Sequence, residues 1–473
     1  QFGIACEACH GPAAEHVGAN RDPRRRYQYH QSGAPDPTIA NPEQLPPRLS
    51  AQICGQCHAV SFPRPEYMDH WRQFGHAYRP GDDLNETREV ATGPELQREP
   101  GLRDTWFWPD GVVRVSGREY NGLLETPCYT HGEEDHMVTC LSCHSMHPAA
   151  DDDRPFSEWA DDQLQPGMRT NEACTQCHEQ LRGEVELASH TRHDVDSSGS
   201  NCYNCHMSYT SYGLLKAIRS HTVESPSVQT SLKTGRPNAC NQCHLDRTLA
   251  WTAEHLQQRH GLEKPELSED QGSIAASVLW TLKGDAGQRA LMAWSMGWEA
   301  AREASGSDWM SPYLAFLMTD PYDAVRFIAY RSLRMDPAFA DFDYDFLAPV
   351  PERRAAANRV LRAWRTNRIN LSEHSGGARP TADRDSGAYR KSDALGRRRT
   401  IKENGDRWQF GRAPFLNQEG HFHGALALFS SKSHKLGKLR RPPDRQGILK
   451  NSRLLDEFGG APIHEWPSPI DGK

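Results

Sequence analysis

The stretch "MVTCLSCHSMHP", Met137–Pro148, places two cysteines two residues apart, a histidine directly after the second, and another histidine three residues further on. The Cys-x-x-Cys-His unit within it recurs five times. The others are "CEACH" (Cys6, Cys9, His10), "CGQCH" (Cys54, Cys57, His58), "CTQCH" (Cys174, Cys177, His178), "CYNCH" (Cys202, Cys205, His206) and "CNQCH" (Cys240, Cys243, His244). With Cys140, Cys143 and His144 of the quoted stretch, these units use 12 of the 13 cysteines and leave Cys128. Zinc is commonly held by paired Cys-x-x-Cys units, and an even cysteine count also suits a disulfide framework. Neither requires a histidine after every second cysteine. Histidine is 23 of 473 residues, so six such coincidences have a chance frequency of ~10⁻⁸.

Covalent haem c requires the whole unit. Two thiols add across the porphyrin vinyl groups, and the next residue lies under the iron as its proximal axial ligand. The expectation is therefore six haems c, with His10, His58, His144, His178, His206 and His244 as proximal ligands. Bacterial haem c is attached outside the cytoplasmic membrane, which places the chain in the periplasm or outside the cell.

An electron-transfer haem needs a sixth ligand, and histidine on both faces gives low-spin iron that changes oxidation state with little rearrangement. Twelve further histidines precede residue 261: His16, His30, His70, His76, His131, His136, His147, His190, His193, His221, His255 and His260. Position ranks His16, His147, His190 and His221 first, and His76, His131, His136 and His193 next. His147 lies three residues after His144, too close to reach the opposite face of the same haem, and is expected to cap a neighbour's. Met137, Met146 and Met207 are alternative axial ligands beside the motifs, although methionine more often packs. Cys128 reads as a buried thiol, an intermolecular disulfide or an unusual ligand.

Composition agrees with a loop-rich chain whose porphyrins replace much of the apolar core. Mean hydropathy is −0.77, hydrophobic residues are 37%, and glycine and proline number 37 and 32. No run approaches the ~18–20 apolar residues of a membrane span. The chain starts at Gln1, five residues before Cys6, and reads as processed or truncated. The net charge of −7 conceals a basic stretch: residues 371–450 hold 17 Lys and Arg against 8 Asp and Glu, net +9. No nucleic-acid motif accompanies it, so it reads as a solvated tail docking on an acidic body.

The fold class expected is mainly α with much irregular structure, in three parts. Residues 1–262 form a hexahaem domain of short helices with one hairpin at "TWFWPDGVVRVSG" (Thr105–Gly117), turning at Asp110-Gly111. Residues 263–370 form a helical module. Within it "DPYDAVRFIAYRSL" (Asp320–Leu333) stripes Val325, Ile328, Ala329 and Leu333 along one face, with "WMSPYLAFLMTD" as its antiparallel partner. Before the module, "RTLAWTAEHLQQRHG" reads as a helix closed by Gly261. Residues 371–473 form a basic, largely irregular tail, with "APFLNQEGHFHGALALF" (Ala413–Phe429) as its one ordered segment and His421 and His423 as surface residues.

The chain resembles the multihaem c-type cytochromes that join paired CxxCH motifs to HEAT- or tetratricopeptide-like helical repeats. The likeness runs over about residues 1–340 and rests on "GIACEACHGP" (Gly3–Pro12), "YRPGDDL" (Tyr78–Leu84), "FWPDGVVRV" (Phe107–Val115), "CLSCHSMH" (Cys140–His147), "GSNCYNCHMSYTSY" (Gly199–Tyr212) and "GRPNACNQCHLDRTLAW" (Gly235–Trp251). It implies an exported electron carrier with His/His-ligated haems. Family members usually carry further CxxCH motifs upstream, so six haems is the minimum for the intact protein. The resemblance gives a role without a substrate. Electron transfer to redox partner proteins or neighbouring cytochrome subunits is the first functional expectation, with a homo-oligomer or extracellular filament as a variant. An oxidoreductase with one five-coordinate haem acting on a small nitrogen or sulfur compound is the alternative.

Overall fold

The computed structural model describes residues 4–374, apart from 93–105, 115–117, 134–135, 151 and 214. Beyond these it describes only the backbone of two strands, Arg399–Glu403 and Asp406–Phe410. Residues 414–473 lie outside the described residues, as does the expected ordered segment Ala413–Phe429.

The architecture is mainly α with much irregular backbone. In chain order, and naming only elements used below, the first part holds α1 (Cys6–His10), α2 (Pro47–His58), β1 (Ser61–Pro63), β2 (Arg88–Val90) and α3 (Glu119–Leu124). Proline at the first position of α2 suits a helix start, because the amide it lacks would have no partner there. This helix is buried nearly all round at Ser50, Ala51, Gln52 and Ile53, and again at Gly55. Gln52 holds the following loop twice, donating to Asp83 and accepting from the Leu84 amide, both at 2.9 Å. Buried Asn121 of α3 likewise accepts from Val60 N (2.7 Å) and donates to Ala91 O (2.9 Å), satisfying both ends of its amide.

Gly55, inside the second CxxCH unit, lies against the Tyr120 ring of α3. A Cβ added there would stand 2.7 Å from a ring carbon. Gly55→Ala is therefore expected to destabilise by about 1–3 kcal/mol through overpacking. Chemical denaturation checks this, and an unchanged midpoint would refute it.

The Asp110-Gly111 turn forms as expected. Gly111 adopts φ +89°, its amide bonds Trp108 O (2.9 Å), and Phe107 bridges Val113. Two further antiparallel pairs were not anticipated: β1 with β2, and β3 (Tyr209–Tyr212) with β4 (Lys216–Arg219), the latter registering Tyr209 opposite Arg219. The Arg219 guanidinium lies 4.0 Å from the Tyr209 ring centre, a cation–π contact that clamps the hairpin.

Next come α4 (Leu249–His260), α5 (Ala276–Lys283), α6 (Ala286–Ser295), α7 (Glu299–Ser305), α8 (Ser311–Leu317), α9 (Asp323–Leu333) and α10 (Val350–His374). Gly261 closes α4 in the left-handed conformation. The stripe expected on α9 is buried, Val325, Ile328, Ala329 and Leu333 all being 4% exposed or less, and α8 packs on α9. The Asp320-Pro321 pair does not open that helix. Tyr322 is its N-cap, and the Asp320 carboxylate instead accepts from the Tyr322 amide and grips Arg289. The backbone of α10 continues helically past Leu371 to His374, and the two described strands beyond it pair antiparallel, so this part of the expected irregular tail has regular backbone. Among the described residues no helix is long and apolar enough to cross a membrane.

These helices are joined to the motif-bearing part through polar contacts. Ser305 donates to Cys243 O (2.9 Å) and accepts from Leu245 N (2.8 Å), Ser211 donates to Gly287 O (2.8 Å), and Gln288 donates to Gly235 O (2.6 Å).

Candidate functional site

Each CxxCH unit sits on a helical turn or a short helix. Asn201 and Asn238 cap two of these, accepting from Tyr203 N and Cys240 N at 3.0 Å, while Thr139 and Ser142 form a capping box at the third unit. All 13 cysteines are free thiols, so the disulfide framework is not formed.

The thiols of consecutive units approach one another in chain order. Cys54 and Cys140 share a hydrogen bond that lowers the first thiol and raises the second. Cys174 and Cys202 share another, raising Cys174 and bringing Cys202 down to about 7. Burial, then Cys54 and Cys57, raises Cys9. Burial, then Cys177, raises Cys143. Burial, then Cys205, lifts Cys240 to about 12 and Cys243 to about 11. The six units thus follow one another in space as in sequence. Cys128 lies near the fourth unit, where burial, then Cys177, raises its thiol against a bond from its own backbone.

The histidines form pairs. His10 faces His147 with ring centres 6.2 Å apart and planes 25° apart. His144 faces His221 (6.4 Å, 20°), His206 faces His190 (6.1 Å, 13°) and His244 faces His193 (6.0 Å, 22°). Each pair joins a motif histidine to one of the candidate distal ligands. Two imidazoles on opposite sides of one metal ion, each through a bond of ~2.0–2.1 Å with the ring centre ~1.1 Å further out, stand about 6.3 Å apart. All four pairs fit this separation. Among the described residues no group of three or more His, Cys, Asp or Glu converges as a cage for a bare ion.

The rings are also oriented for ligation. Nδ1 lies against a main-chain carbonyl in His10 (Ala40 O, 2.8 Å), His144 (Asp162 O, 2.9 Å), His206 (Glu224 O, 2.8 Å), His193 (Thr191 O, 2.7 Å) and His221 (Arg219 O, 3.2 Å). A carbonyl only accepts, so Nδ1 carries the proton and Nε2 presents a lone pair. Burial first, then the facing imidazole among other neighbours, lowers the pKa of His206, His221 and His244, the last to about 4. These rings stay neutral, the form a metal takes.

His58 and His178 have no facing imidazole among the described residues. His16 is drawn into a polar cluster, its Nδ1 3.3 Å from Asp36 and 3.1 Å from the Asn20 amide. His76 lies against Trp71 with ring centres 6.3 Å apart, and His131 and His136 are exposed. His260, which the sequence ranks below the eight leading candidates, stands edge-on to His190 at 6.0 Å. These two rings line a cleft of about 580 Å³ with Leu181, Val185 and Arg259. Sequence reasoning missed the carbonyls that orient His10, His144 and His206, because they come from residues 18 to 30 positions away that share no side-chain signature.

Six CxxCH units in spatial sequence, with imidazoles set in pairs across them, are the arrangement that covalent attachment of haem c calls for. Comparison with known proteins points the same way. Over 184 residues the chain is 26% identical to the cytochrome c nitrite reductase subunit NrfA of Nitratidesulfovibrio vulgaris (strain Hildenborough), covering 37% of this chain and 32% of that protein. The chain therefore spans about a third of the length of the curated relative it matches. No family model and no solved structure matches it.

Proposed function

We propose that this chain is a multihaem c-type cytochrome that passes electrons along six covalently bound haems, in the periplasm or outside the cell. The observation that carries the reading is the recurrence of four imidazole pairs at 6.0–6.4 Å, each pairing a CxxCH histidine with a histidine from elsewhere in the chain. Haem would supply a one-electron centre held by two neutral imidazoles, whose potential the protein tunes by axial ligand, hydrogen bonding and burial. The protein's part is to anchor, orient and shield. Cys6/Cys9, Cys54/Cys57, Cys140/Cys143, Cys174/Cys177, Cys202/Cys205 and Cys240/Cys243 would form the thioethers. His10/His147, His144/His221, His206/His190 and His244/His193 would ligate four irons. His58 and His178 would each supply one ligand, with His16, His76, His131 and His136 the remaining candidates for their opposite faces. The cleft beside His190 and His260 sets the apolar Leu181 and Val185 among polar side chains and offers Arg259 for a carboxylate, and its volume lies in the ~300–1,000 Å³ range of cofactor sites.

The order of the units makes the expected path linear, with electrons tunnelling between neighbouring centres and no substrate bond made. The helices from α5 to α10 would serve as a HEAT-like module that docks a redox partner or a neighbouring subunit, as in a homo-oligomer or filament. Pyridine haemochrome analysis of the matured protein tests the count: six haems per chain are expected, and a value well below six would overturn the reading.

A second reading is favoured by His58 and His178, which face no second imidazole among the described residues. It is supported by the likeness to a protein named as a nitrite reductase. One such centre would then bind a small nitrogen or sulfur compound. Absorption spectra decide between them: a wholly low-spin protein unchanged by nitrite, hydroxylamine or carbon monoxide fits the carrier, whereas a high-spin haem fits the enzyme.

A further inference from the structure

His58 differs from His10, His144 and His206 in what holds its ring. His10, His144 and His206 turn Nδ1 onto main-chain carbonyls, whereas His58 turns Nδ1 onto the Glu119 carboxylate, 2.8 Å from Oε2. Glu119 opens α3, whose Tyr120 packs on Gly55 and whose Asn121 is locked to Val60 and Ala91, so the carboxylate is presented by a fixed element. The carboxylate side chain is 23% exposed. Arg118 donates to Cys57 O at 3.4 Å and Arg88 donates to Gln56 O, which fixes the motif on its other side. A carboxylate draws the Nδ1 proton more strongly than a carbonyl does. The imidazole then becomes a stronger donor through Nε2 and favours the more highly charged metal.

We propose that Glu119 is a positioning residue that lowers the reduction potential of the haem at Cys54, Cys57 and His58 below the value that a carbonyl-held histidine would give. This rests on the multihaem reading above. It deepens that reading by marking the second centre as an uphill step on the path, because its unit lies between the first, where Gln56 donates to Ala8 O at 2.7 Å, and the third, whose turn at Cys140–Ser142 packs on α2.

The test is spectropotentiometric titration of the full-length, haem-loaded protein beside Glu119→Gln and Glu119→Asp. Glu119→Gln keeps the shape and a hydrogen-bond acceptor but removes the charge. It is expected to shift one haem's reduction equilibrium about tenfold toward the ferrous form, which is 59 mV for one electron, with the low-spin signature of that haem altered in its electron paramagnetic resonance spectrum. Glu119→Asp, which keeps the charge on a shorter arm, is expected to fall between wild type and Glu119→Gln. A full haem count with every wave unmoved in both variants would overturn the role of Glu119 and leave the multihaem reading standing. Protein carrying no covalent haem would overturn that reading instead. Should Glu119→Gln lose one haem, the Glu119→Asp wave decides, and its coincidence with wild type would refute the proposal.

Discussion

On the proposed haem assignment, His147→Ala is expected to open the centre at Cys6 and Cys9 and to leave the one at Cys140 and Cys143 low-spin. The substitution lies three residues from His144, yet the ring it removes faces His10 at 6.2 Å, while His144 faces His221 at 6.4 Å. Loss of one imidazole leaves an iron with five ligands. One haem per chain is then expected to become high-spin and to bind carbon monoxide. Its potential is expected to rise by on the order of 100 mV, a fraction of the ~0.8 V range that axial ligands command. His221→Ala makes the complementary prediction, opening the Cys140/Cys143 centre. The two variants are separated by combination. If His147 acts on His10's iron, His10→Ala combined with His147→Ala perturbs one haem, whereas His147→Ala combined with His221→Ala perturbs two, because independent sites add and shared ones do not. Two perturbed haems in the first combination and one in the second would reverse the assignment.

That pairing marks where the sequence stops being informative. The CxxCH units are legible because the haem attachment proposed for them would be a local constraint: two thiols and one imidazole must lie within five residues whatever the rest of the chain does. The helix at Leu249–His260 is legible for a similar reason, its period and the terminal Gly261 being written in adjacent residues. His147 is half legible. Its distance from His144 excludes their shared iron, but nothing nearby names His10. The hairpin of Tyr209–Tyr212 and Lys216–Arg219 escaped notice because four-residue strands carry little periodic signal, and its lock is distant: Gln242 accepts from Tyr209 N and donates to Tyr209 O, each at 3.0 Å. Glu119 is invisible for the same reason. In sequence it is one of many acidic residues, and only the packing of α3 on α2 brings it to His58. Asp320 illustrates the opposite error. The Asp-Pro pair looks like a helix start, but the helix begins at Asp323, and the Asp320 carboxylate ties the preceding turn at the Tyr322 amide to Arg289 of another helix.

Asp320→Ala is expected to be strongly destabilising, by about 3–5 kcal/mol, because it leaves the Arg289 guanidinium, largely withdrawn from water, without its carboxylate. The Asp320 side chain is 3% exposed and that of Arg289 15%, and the two meet in a fork, Nε to Oδ2 at 2.5 Å and one terminal nitrogen to Oδ1 at 3.1 Å. The same carboxylate accepts from the Tyr322 amide at 2.9 Å, and Arg289 is tied to Gly284 O at 2.7 Å, so neither partner can swing to water without breaking a second bond. The pair joins α6 to the turn between α8 and α9, beside the buried Met292, Leu317 and Met318. Two comparisons separate the ion pair from a general loss of packing. Asp69→Ala breaks an exposed pair with Arg72, whose side chains are 86% and 65% exposed, and is expected to leave the unfolding midpoint unchanged. Arg289→Met combined with Asp320→Leu removes both charges, and is expected to recover most of the loss because no unpaired ion remains. Urea unfolding followed by far-ultraviolet circular dichroism measures all three. A double variant as unstable as Asp320→Ala would mean that the carboxylate acts through the Tyr322 turn rather than through Arg289.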